Sequence, residues 1–513
     1  MPRVSRKVLM IGVDAAESTL IEAGIADGTL PNLARLRQRG LYGRLASPVD
    51  WLTGSPWPTF YTGVWPNEHG FYNYLQWRPQ RMRHQRPSAD WLPMTPFWRR
   101  LSAADRRAIA VDVPISYPPA PFEGLEINGW AGHDKFWPPA SHPRDLLKQV
   151  QRRFGREPLE SEIYGLQSPR RLRQLCRQLI DATQRVADLG IDLMTREPWD
   201  LFLIVLGAAH RGGHKLWDET GAPFDITADE AASIRSSIPE IYRACDEGVG
   251  RIVDAADGQT AIVVFSLHGM GPNTSCAALL PEMLDRVLND RSHAAENVGD
   301  PETVLDRLRT AVPVELRSVV KSRLPQAWQD HLTTFWRRSE VAHLNDRPAF
   351  CILGDLEGFV RINLQGRERD GIVPPDQYEA LCERICDGLA SFVELETGKP
   401  VVSRIGRGGD LFPPTNSPRD LPDLVVHWSD TAAAARRTIE SPRFGSIEWP
   451  LPGRNPDGRC GHHLPDGWMI GVDEAFAAGS QIDGRHILDL APTVYELLGL
   501  PKPAAMRGKS LIS

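Results

Sequence analysis

The sequence predicts an α/β protein with a mostly parallel central sheet and helices on both faces of that sheet. Three continuous apolar runs indicate buried strands: residues 7–14, 200–210 and 259–269. Strands that are covered on both faces have such runs, whereas half-exposed strands alternate apolar and polar residues. A weaker run of the same form spans residues 106–114. Helical patterns lie between the runs, and this alternation favours an open parallel sheet.

Two long segments between the strands have the period of amphipathic helices. In residues 169–194 and 231–255, Leu, Ile and Val recur at spacings of three and four. Nearer the C-terminus, residues 421–428 return to a strand pattern, and residues 488–500 form a closing amphipathic helix pattern.

Residues 273–347 interrupt this alternation because they have a helical pattern and many charged residues. We predict that they form a helical insertion or cap. The core of the fold is then built from two parts of the chain, residues 1–272 and residues 348–513.

Composition excludes several classes of function. The chain has 513 residues and a net charge of −6, so it has no basic footprint for nucleic acid. No apolar run approaches the ~20 residues of a membrane span, and the first run is too short for a signal peptide. The seven cysteines are scattered, with no CxxC pair. They indicate reduced thiols in a cytoplasmic protein.

Polar residues that can bind a metal follow the predicted strands. Asp14 ends the first, His210 and His214 follow the second, and His268 ends the third. In parallel sheets, ligands bind at the carboxyl ends of the strands. If a helix begins near His210, both imidazoles of this pair share one face, and a third imidazole would complete a zinc site.

Each of these residues also has a structural interpretation. The two histidines of the HxxxH pair could lie on a solvated helix start, and His268 could be a turn residue. Asp14 could cap a helix in a capping box with Glu17. Their shared position at the strand ends is what favours a metal site.

The segment DWLTGSPWPTFYTGVWPNEHG, residues 50–70, is rich in both aromatic and helix-capping residues. Ser55 and Pro56 predict an N-cap followed by proline in the first helical turn. Such a helix start would direct N–H groups at an anion beside the hydroxyl of Thr53. A simple capping role is the alternative. The aromatic residues are expected in the core: Trp57, Phe60 and Tyr61.

Four segments together resemble the alkaline phosphatase superfamily, in its type I phosphodiesterase/nucleotide pyrophosphatase-like branch of phosphohydrolases and phosphomutases. They are VLMIGVDAAE, LTGSPWPTFYTGVWPNEHGFYNY, VVFSLHGMGP and the C-terminal HHLPDGWMIG with its closing helix and tail. The second contains the family signature TG-x-x-P-x-x-HG. The resemblance spans nearly the whole chain and implies the alkaline phosphatase-like fold.

By resemblance, Thr53 is the nucleophile and the centre holds two divalent ions, usually zinc. One ion would be bound by His210, His214 and His463, and the other by Asp14, Thr53 and His268. We prefer His463 to His462 because it directly precedes LPDG. His69 of the signature is expected to support the loop.

The chain departs from the family at two metal positions. It has His210 and Leu267 where the family usually has aspartates. We therefore expect one tight His₃ zinc site and a weaker second site for a divalent ion, with Mn²⁺ possible. Asp466 or Glu17 could substitute for the lost carboxylates, although Glu17 is better explained as a helix cap.

The resemblance implies metal-dependent hydrolysis of phosphate mono- or diesters of small molecules. The metal would activate the Thr53 hydroxyl, a phosphothreonine would form, and water would hydrolyse it. A phosphomutase, or a silent or single-metal homologue acting as a binding protein, is the alternative. A sulfatase is disfavoured because its nucleophile motif is missing, and a dinucleotide-binding fold because no GxGxxG follows the first strand. The substrate and oligomeric state are left open.

Overall fold

The structure is a computed structural model that describes residues 6–87, 94–117, 120–132, 137–159, 165–290, 346–416, 419–455 and 457–512. The strands of these residues are β1 Val8–Val13, β2 Leu41–Ala46, β3 Gln76–Arg78, β4 Arg83–Gln85, β5 Ala108–Val111, β6 Gly124–Asn128, β7 Ala140–His142, β8 Leu201–Leu206, β9 Ala261–Ser266, β10 Gly269–Pro272, β11 Ala349–Ile352, β12 Gly358–Ile362, β13 Val393–Glu394, β14 Val402–Arg407, β15 Leu424–Trp428, β16 Thr438–Ser441, β17 Gly445–Glu448, β18 Gly461–Leu464, β19 Asp466–Val472 and β20 Gln481–His486.

The α-helices are α1 Ser18–Asp27, α2 Pro31–Arg39, α3 Pro56–Thr62, α4 Pro66–His69, α5 Phe97–Arg100, α6 Leu146–Phe154, α7 Pro169–Arg196, α8 Ala208–Leu216, α9 Ala228–Arg235, α10 Ser237–Asp254, α11 Leu280–Asn289, α12 Tyr378–Ala390 and α13 Leu490–Leu497.

The main sheet has nine strands in the order β20-β2-β19-β9-β1-β8-β5-β6-β7 within the described residues. Strands β9, β1, β8, β5 and β6 run parallel to one another, while β19 and β7 are antiparallel to their neighbours. The predicted mostly parallel sheet is confirmed. The four apolar runs are adjacent strands, so their carboxyl ends meet along one edge.

Helices cover both faces of this sheet, as predicted. Along β1, Leu9 and Ile11 pack with α1, α2, α7, α8 and α10, whereas Val8 and Met10 pack with α3, α5 and α13. Strand geometry explains the alternation, because successive side chains point to opposite faces. Truncating a fully buried leucine of these layers to alanine costs about 2–5 kcal/mol of folding free energy.

The two long helical patterns form as predicted, with one break. Helix α7 begins where the Ser168 hydroxyl accepts the Arg171 N–H at 3.3 Å. The second pattern forms two helices, α9 and α10, which meet at Ser236. Pro239 in the first turn of α10 has no N–H to donate to the carbonyl of Arg235, so a continuous helix would lack that hydrogen bond.

A second, antiparallel sheet has the order β11-β12-β15-β14. One face packs against α11 and α12, and the other packs against Leu52, Tyr72 and the β3–β4 hairpin. The strand predicted at residues 421–428 is present as β15, and it belongs to this second sheet. The β11–β12 hairpin, with the turn that joins its strands, therefore packs against the segment that carries Thr53.

The division of the chain at residues 272 and 347 stays a prediction. Residues 291–345, most of the predicted helical insertion, lie outside the described residues. Within the described part of that segment, α11 is helical.

Candidate functional site

Four imidazoles meet at the carboxyl edge of the main sheet. Helix α8 follows β8 and carries His210 and His214 one turn apart; His268 follows β9, and His463 lies on β18. The Nε2 atom of His210 is 3.1 Å from Nε2 of His214 and 2.9 Å from Nε2 of His463. The rings of His268 and His463 have centroids 4.5 Å apart.

Backbone carbonyls fix the orientation of two of these rings. Nδ1 of His214 lies 3.0 Å from the Gly461 carbonyl oxygen, and Nδ1 of His268 lies 3.2 Å from that of Gly269. A carbonyl oxygen can only accept a hydrogen bond, so Nδ1 of each ring carries the proton. In the neutral ring, Nε2 then presents a lone pair to the site.

Asp14 orients the third ring. Its Oδ2 atom is 2.8 Å from Nδ1 of His210, and its Oδ1 atom accepts a hydrogen bond of 2.9 Å from Nε1 of Trp57. Oδ1 is also 3.7 Å from Nε2 of His268. The alternative in which Asp14 caps α1 is wrong, because the side chain of Glu17 occupies that role and accepts the N–H of the second helical residue.

Burial favours the neutral form of two of these imidazoles. It lowers the pKa of His214 and of His463 well below the ordinary value, and the neighbouring imidazoles lower both further. With Nδ1 of His214 protonated, its Nε2 atom presents a lone pair towards Nε2 of His210. A metal ion bound between the rings would accept this lone pair.

The donor set fits a metal ion. Two groups of side chains have their possible ligand atoms within 4.8 Å of one another: His210, His268 and His463, and His214, Asp355 and His463. A tetrahedral zinc ion with Zn–N bonds of about 2.0–2.1 Å separates its nitrogens by about 3.3 Å. The observed Nε2–Nε2 separations of 2.9 and 3.1 Å are close to that value.

Thr53 lies in the turn before α3, is 9% exposed, and donates its hydroxyl hydrogen to a carboxylate oxygen of Glu357. The next residue must be glycine, because a Cβ on Gly54 would lie 2.6 Å from the Tyr72 carbonyl oxygen. Trp57 then packs into the core as predicted and also donates to the Asp14 carboxylate. The aromatic segment thus joins the threonine turn to the imidazole cluster.

Two N–H groups beside Thr53 that could have faced an anion have backbone partners instead. The Gly54 N–H donates to Tyr72 O at 3.2 Å, and the Ser55 N–H donates to Leu52 O at 2.9 Å. The first turn of α3 also contains two prolines, which have no N–H. Ser55 holds the N-cap position, but its hydroxyl donates to the Leu52 carbonyl at 2.6 Å instead of capping the helix.

Sequence reasoning missed two carboxylates, Asp355 and Glu357, in the turn between β11 and β12. Asp355 groups with two of the imidazoles and forms an ion pair with Arg459. Burial, together with the charge of Asp355, raises the pKa of Glu357 to about 7. The only signal in the sequence is GDLEG, an acidic pair between glycines, which is common in turns.

The carboxylates expected as substitutes lie elsewhere. Asp466 is half exposed and pairs with Arg44 at 3.5 Å. Besides capping α1, Glu17 accepts the Met270 N–H at 3.2 Å. Leu267, at the position of the second lost aspartate, is fully buried in an apolar cluster.

Three histidines of the segments that resemble the family differ in their surroundings: His463, His462 and His69. His463 belongs to both metal-capable groups, whereas its neighbour His462 belongs to neither group of the described residues. Burial lowers the pKa of His462 to about 4. His69 lies 3.0 Å from the Thr59 hydroxyl, and its Nδ1 accepts the Phe71 N–H at 3.0 Å, so it supports the loop as expected.

Comparison with models of known families identifies the family of the chain. The model of the type I phosphodiesterase/nucleotide pyrophosphatase family matches residues 8–426. The chain belongs to this family. The resemblance to the alkaline phosphatase superfamily is therefore confirmed, and this type I phosphodiesterase family member is a phosphoester hydrolase. No curated protein matches it significantly in sequence.

Solved structures of phosphonoacetate hydrolase share the fold of this family member at low identity. Phosphonoacetate hydrolase from Sinorhizobium meliloti 1021 in complex with phosphonoacetate has a TM-score of 0.51 at 14% identity, and the match covers 96% of this chain and 95% of that one. Its complex with phosphonoformate gives 0.50 at the same identity and coverage. Murine ectonucleotide pyrophosphatase/phosphodiesterase 5, an inactive form in complex with AMP, gives 0.48 at 11% identity, covering 97% and 96%.

Among the described helices, none combines the length and the apolar character needed to cross a membrane.

Proposed function

We propose that the chain is a metal-dependent hydrolase of small phosphate mono- or diesters that acts through a covalent phosphothreonine on Thr53. The observation that supports it most is the convergence of imidazole nitrogens at the carboxyl edge of the sheet, where the Nε2 atom of His210 lies 3.1 Å from that of His214 and 2.9 Å from that of His463. Such a cluster is suited to a borderline-soft divalent cation.

The residues that would hold metal divide into two sets. His210, His214 and His463 would bind one ion, for which zinc is suited. Asp14, Thr53 and His268 would bind a second divalent ion more weakly, since Asp14 already orients His210. When bound, such ions lower the pKa of a nearby hydroxyl and stabilise charge on phosphate oxygens. Mn²⁺ is an alternative to zinc.

In the first step, Oγ of Thr53 attacks phosphorus. The new O–P bond forms as the bond from phosphorus to the leaving alcohol breaks; the hydroxyl proton passes to water, and water returns a proton to the alcohol oxygen. Glu357 accepts the hydrogen bond of this hydroxyl before the reaction and so orients Oγ. In the second step, water attacks phosphorus and the Thr53 O–P bond breaks, which restores the hydroxyl. A monoester yields phosphate, and a diester yields a monoester.

The proposed substrate is a small phosphate ester in the cytoplasm. All seven cysteines are free thiols, and all lie in the described part of the chain. This agrees with a reducing compartment. The net charge of −6 gives no reason to expect nucleic acid as a partner.

Hydrolysis of p-nitrophenyl phosphate and bis-p-nitrophenyl phosphate tests the proposal. The chelator-treated enzyme should be inactive and should recover with Zn²⁺ or Mn²⁺. Thr53→Ala should lose at least about 100-fold in kcat, which corresponds to about 2.7 kcal/mol, whereas Thr53→Ser keeps a hydroxyl and retains turnover. Acid quenching should trap phosphate on the peptide that contains Thr53.

Several outcomes contradict the proposal. Full activity of Thr53→Ala would exclude the nucleophile. A silent homologue would show no metal-dependent turnover of either ester, and a phosphomutase would transfer the phosphoryl group to a sugar hydroxyl in preference to water. Ser55→Ala is the matched control, because its hydroxyl lies in the same turn and bonds only to a backbone carbonyl among the described contacts.

A further inference from the structure

The turn between β11 and β12 brings a carboxylate from the second sheet to the imidazoles of the first. A carboxylate oxygen of Asp355, one ring nitrogen of His214 and one ring nitrogen of His463 all lie within 4.8 Å of one another. These side chains come from three elements: a turn of the second sheet, α8 and β18. Carboxylate oxygen and imidazole nitrogen are both zinc ligands in proteins.

Charge gives a reason for a carboxylate at this place. A divalent ion held by neutral imidazoles alone keeps both positive charges in a buried site, which is costly without a compensating anion. The Asp14 carboxylate already accepts from Trp57 and faces His210. Asp355 is the further carboxylate that the described residues place against this cluster.

The ion pair of Asp355 with Arg459 does not account for its position by itself. Arg459 has a second partner, since its Nε donates to Oδ2 of Asp457 at 2.9 Å. The guanidinium therefore keeps a carboxylate when Asp355 turns to a metal. Asp355 is the more buried of the two partners of Arg459, because its side chain is 22% exposed and that of Asp457 is 45% exposed.

We propose that Asp355 is a ligand of the metal ion held by His214 and His463, and that it supplies the negative charge that this chain lacks at position 210. The inference rests on the metal centre of the proposed function. It means that the second sheet contributes directly to the metal site of the first.

Metal binding by the full chain tests this assignment separately from activity. Wild type, Asp355→Asn and Asp457→Asn are stripped with chelator and titrated with Zn²⁺ in competition with a chromophoric chelator, and with Co²⁺ for its visible spectrum. Asp355→Asn should weaken Zn²⁺ binding by at least about tenfold and shift the Co²⁺ bands. Asp457→Asn removes the other partner of Arg459 and should match wild type.

The outcomes separate the two proposals. Equal Zn²⁺ affinity and an unchanged Co²⁺ spectrum in Asp355→Asn would overturn the ligand role and leave the proposed function standing. A wild-type protein that binds neither ion would overturn both. If Asp355→Asn does not fold, Asp355→His decides: a nitrogen ligand in place of oxygen should shift the Co²⁺ bands, and bands identical to those of wild type would overturn the inference.

Discussion

The hydroxyl of Thr53 donates a hydrogen bond to the carboxylate of Glu357, a residue 304 positions later in the chain. The two belong to different sheets: Thr53 precedes α3 on the main sheet, and Glu357 precedes β12 of the second sheet. The orientation of the proposed nucleophile is thus set by a contact between the two sheets. Neither residue would be held in this way without the other.

Replacing Glu357 should reduce kcat with little change in KM. Above pH 7, where the Glu357 carboxyl is mostly ionised, Glu357→Ala removes a hydrogen bond to a charged acceptor, which is worth about 1.5–3 kcal/mol, or about 10- to 150-fold in rate. Glu357→Gln keeps an oxygen acceptor and should lose less. Steady-state kinetics on p-nitrophenyl phosphate measures both. An unchanged kcat in Glu357→Ala would show that the contact does not orient the hydroxyl.

Two adjacent histidines provide a matched pair for the metal site. His463→Ala should lose bound zinc, because this side chain belongs to both metal-capable groups. His462→Ala should keep it, because successive residues of β18 point in opposite directions. Metal content after dialysis against dilute Zn²⁺, with circular dichroism as a check of folding, measures the difference. Equal zinc in the two variants would contradict the preference for His463.

Trp57→Phe should destabilise the metal-free protein by about 1.5–3 kcal/mol. The substitution keeps most of the apolar contact of Trp57 with Phe60 and Phe265. It removes the N–H donor to Asp14, whose carboxylate is fully buried. Losing a hydrogen bond to a buried charge has a cost of this size. Urea unfolding in the presence of chelator gives the free energy, and a loss well below 1 kcal/mol would contradict the prediction.

His69 should make stability depend on pH. Burial lowers the pKa of His69 to about 3, so its stabilising effect is complete above the unfolded pKa of about 6.5 and is lost as the pH falls towards 3. His69→Gln removes the titrating imidazole and therefore this pH dependence. The stability advantage of wild type over His69→Gln should therefore shrink by about 2 kcal/mol between pH 7.5 and pH 5.0. A constant difference in urea unfolding at the two pH values would contradict this.

The sequence alone predicts the main sheet and the imidazole cluster well. Continuous apolar runs identify β1, β8 and β9, and the polar residues that follow them share one edge because parallel strands end there. His210 and His214 share a helix face because they are four residues apart. These inferences need only local periodicity and a general rule of parallel sheets.

The sequence does not predict the contribution of the second sheet. Asp355 reaches His214 only through the docking of β11 and β12 against the Thr53 segment, and no local pattern encodes that docking. The sequence does not predict the partners of the N–H groups before α3 for a related reason. The Gly54 N–H bonds to the Tyr72 carbonyl, a partner that becomes visible only when the chain folds back on itself.

The residues of the proposed metal site are far apart in the sequence, so they are synthesised at different times. His210 and His463 are in contact across 253 positions, so β18 is made long after α8. A nascent chain that has emerged through β12 already presents the threonine, Asp355 and the α8 pair, yet it lacks the imidazole common to both ligand groups. Stable binding of the proposed metal ion therefore has to wait for the segment that carries His463, and a product terminated before β18 would lack this ligand.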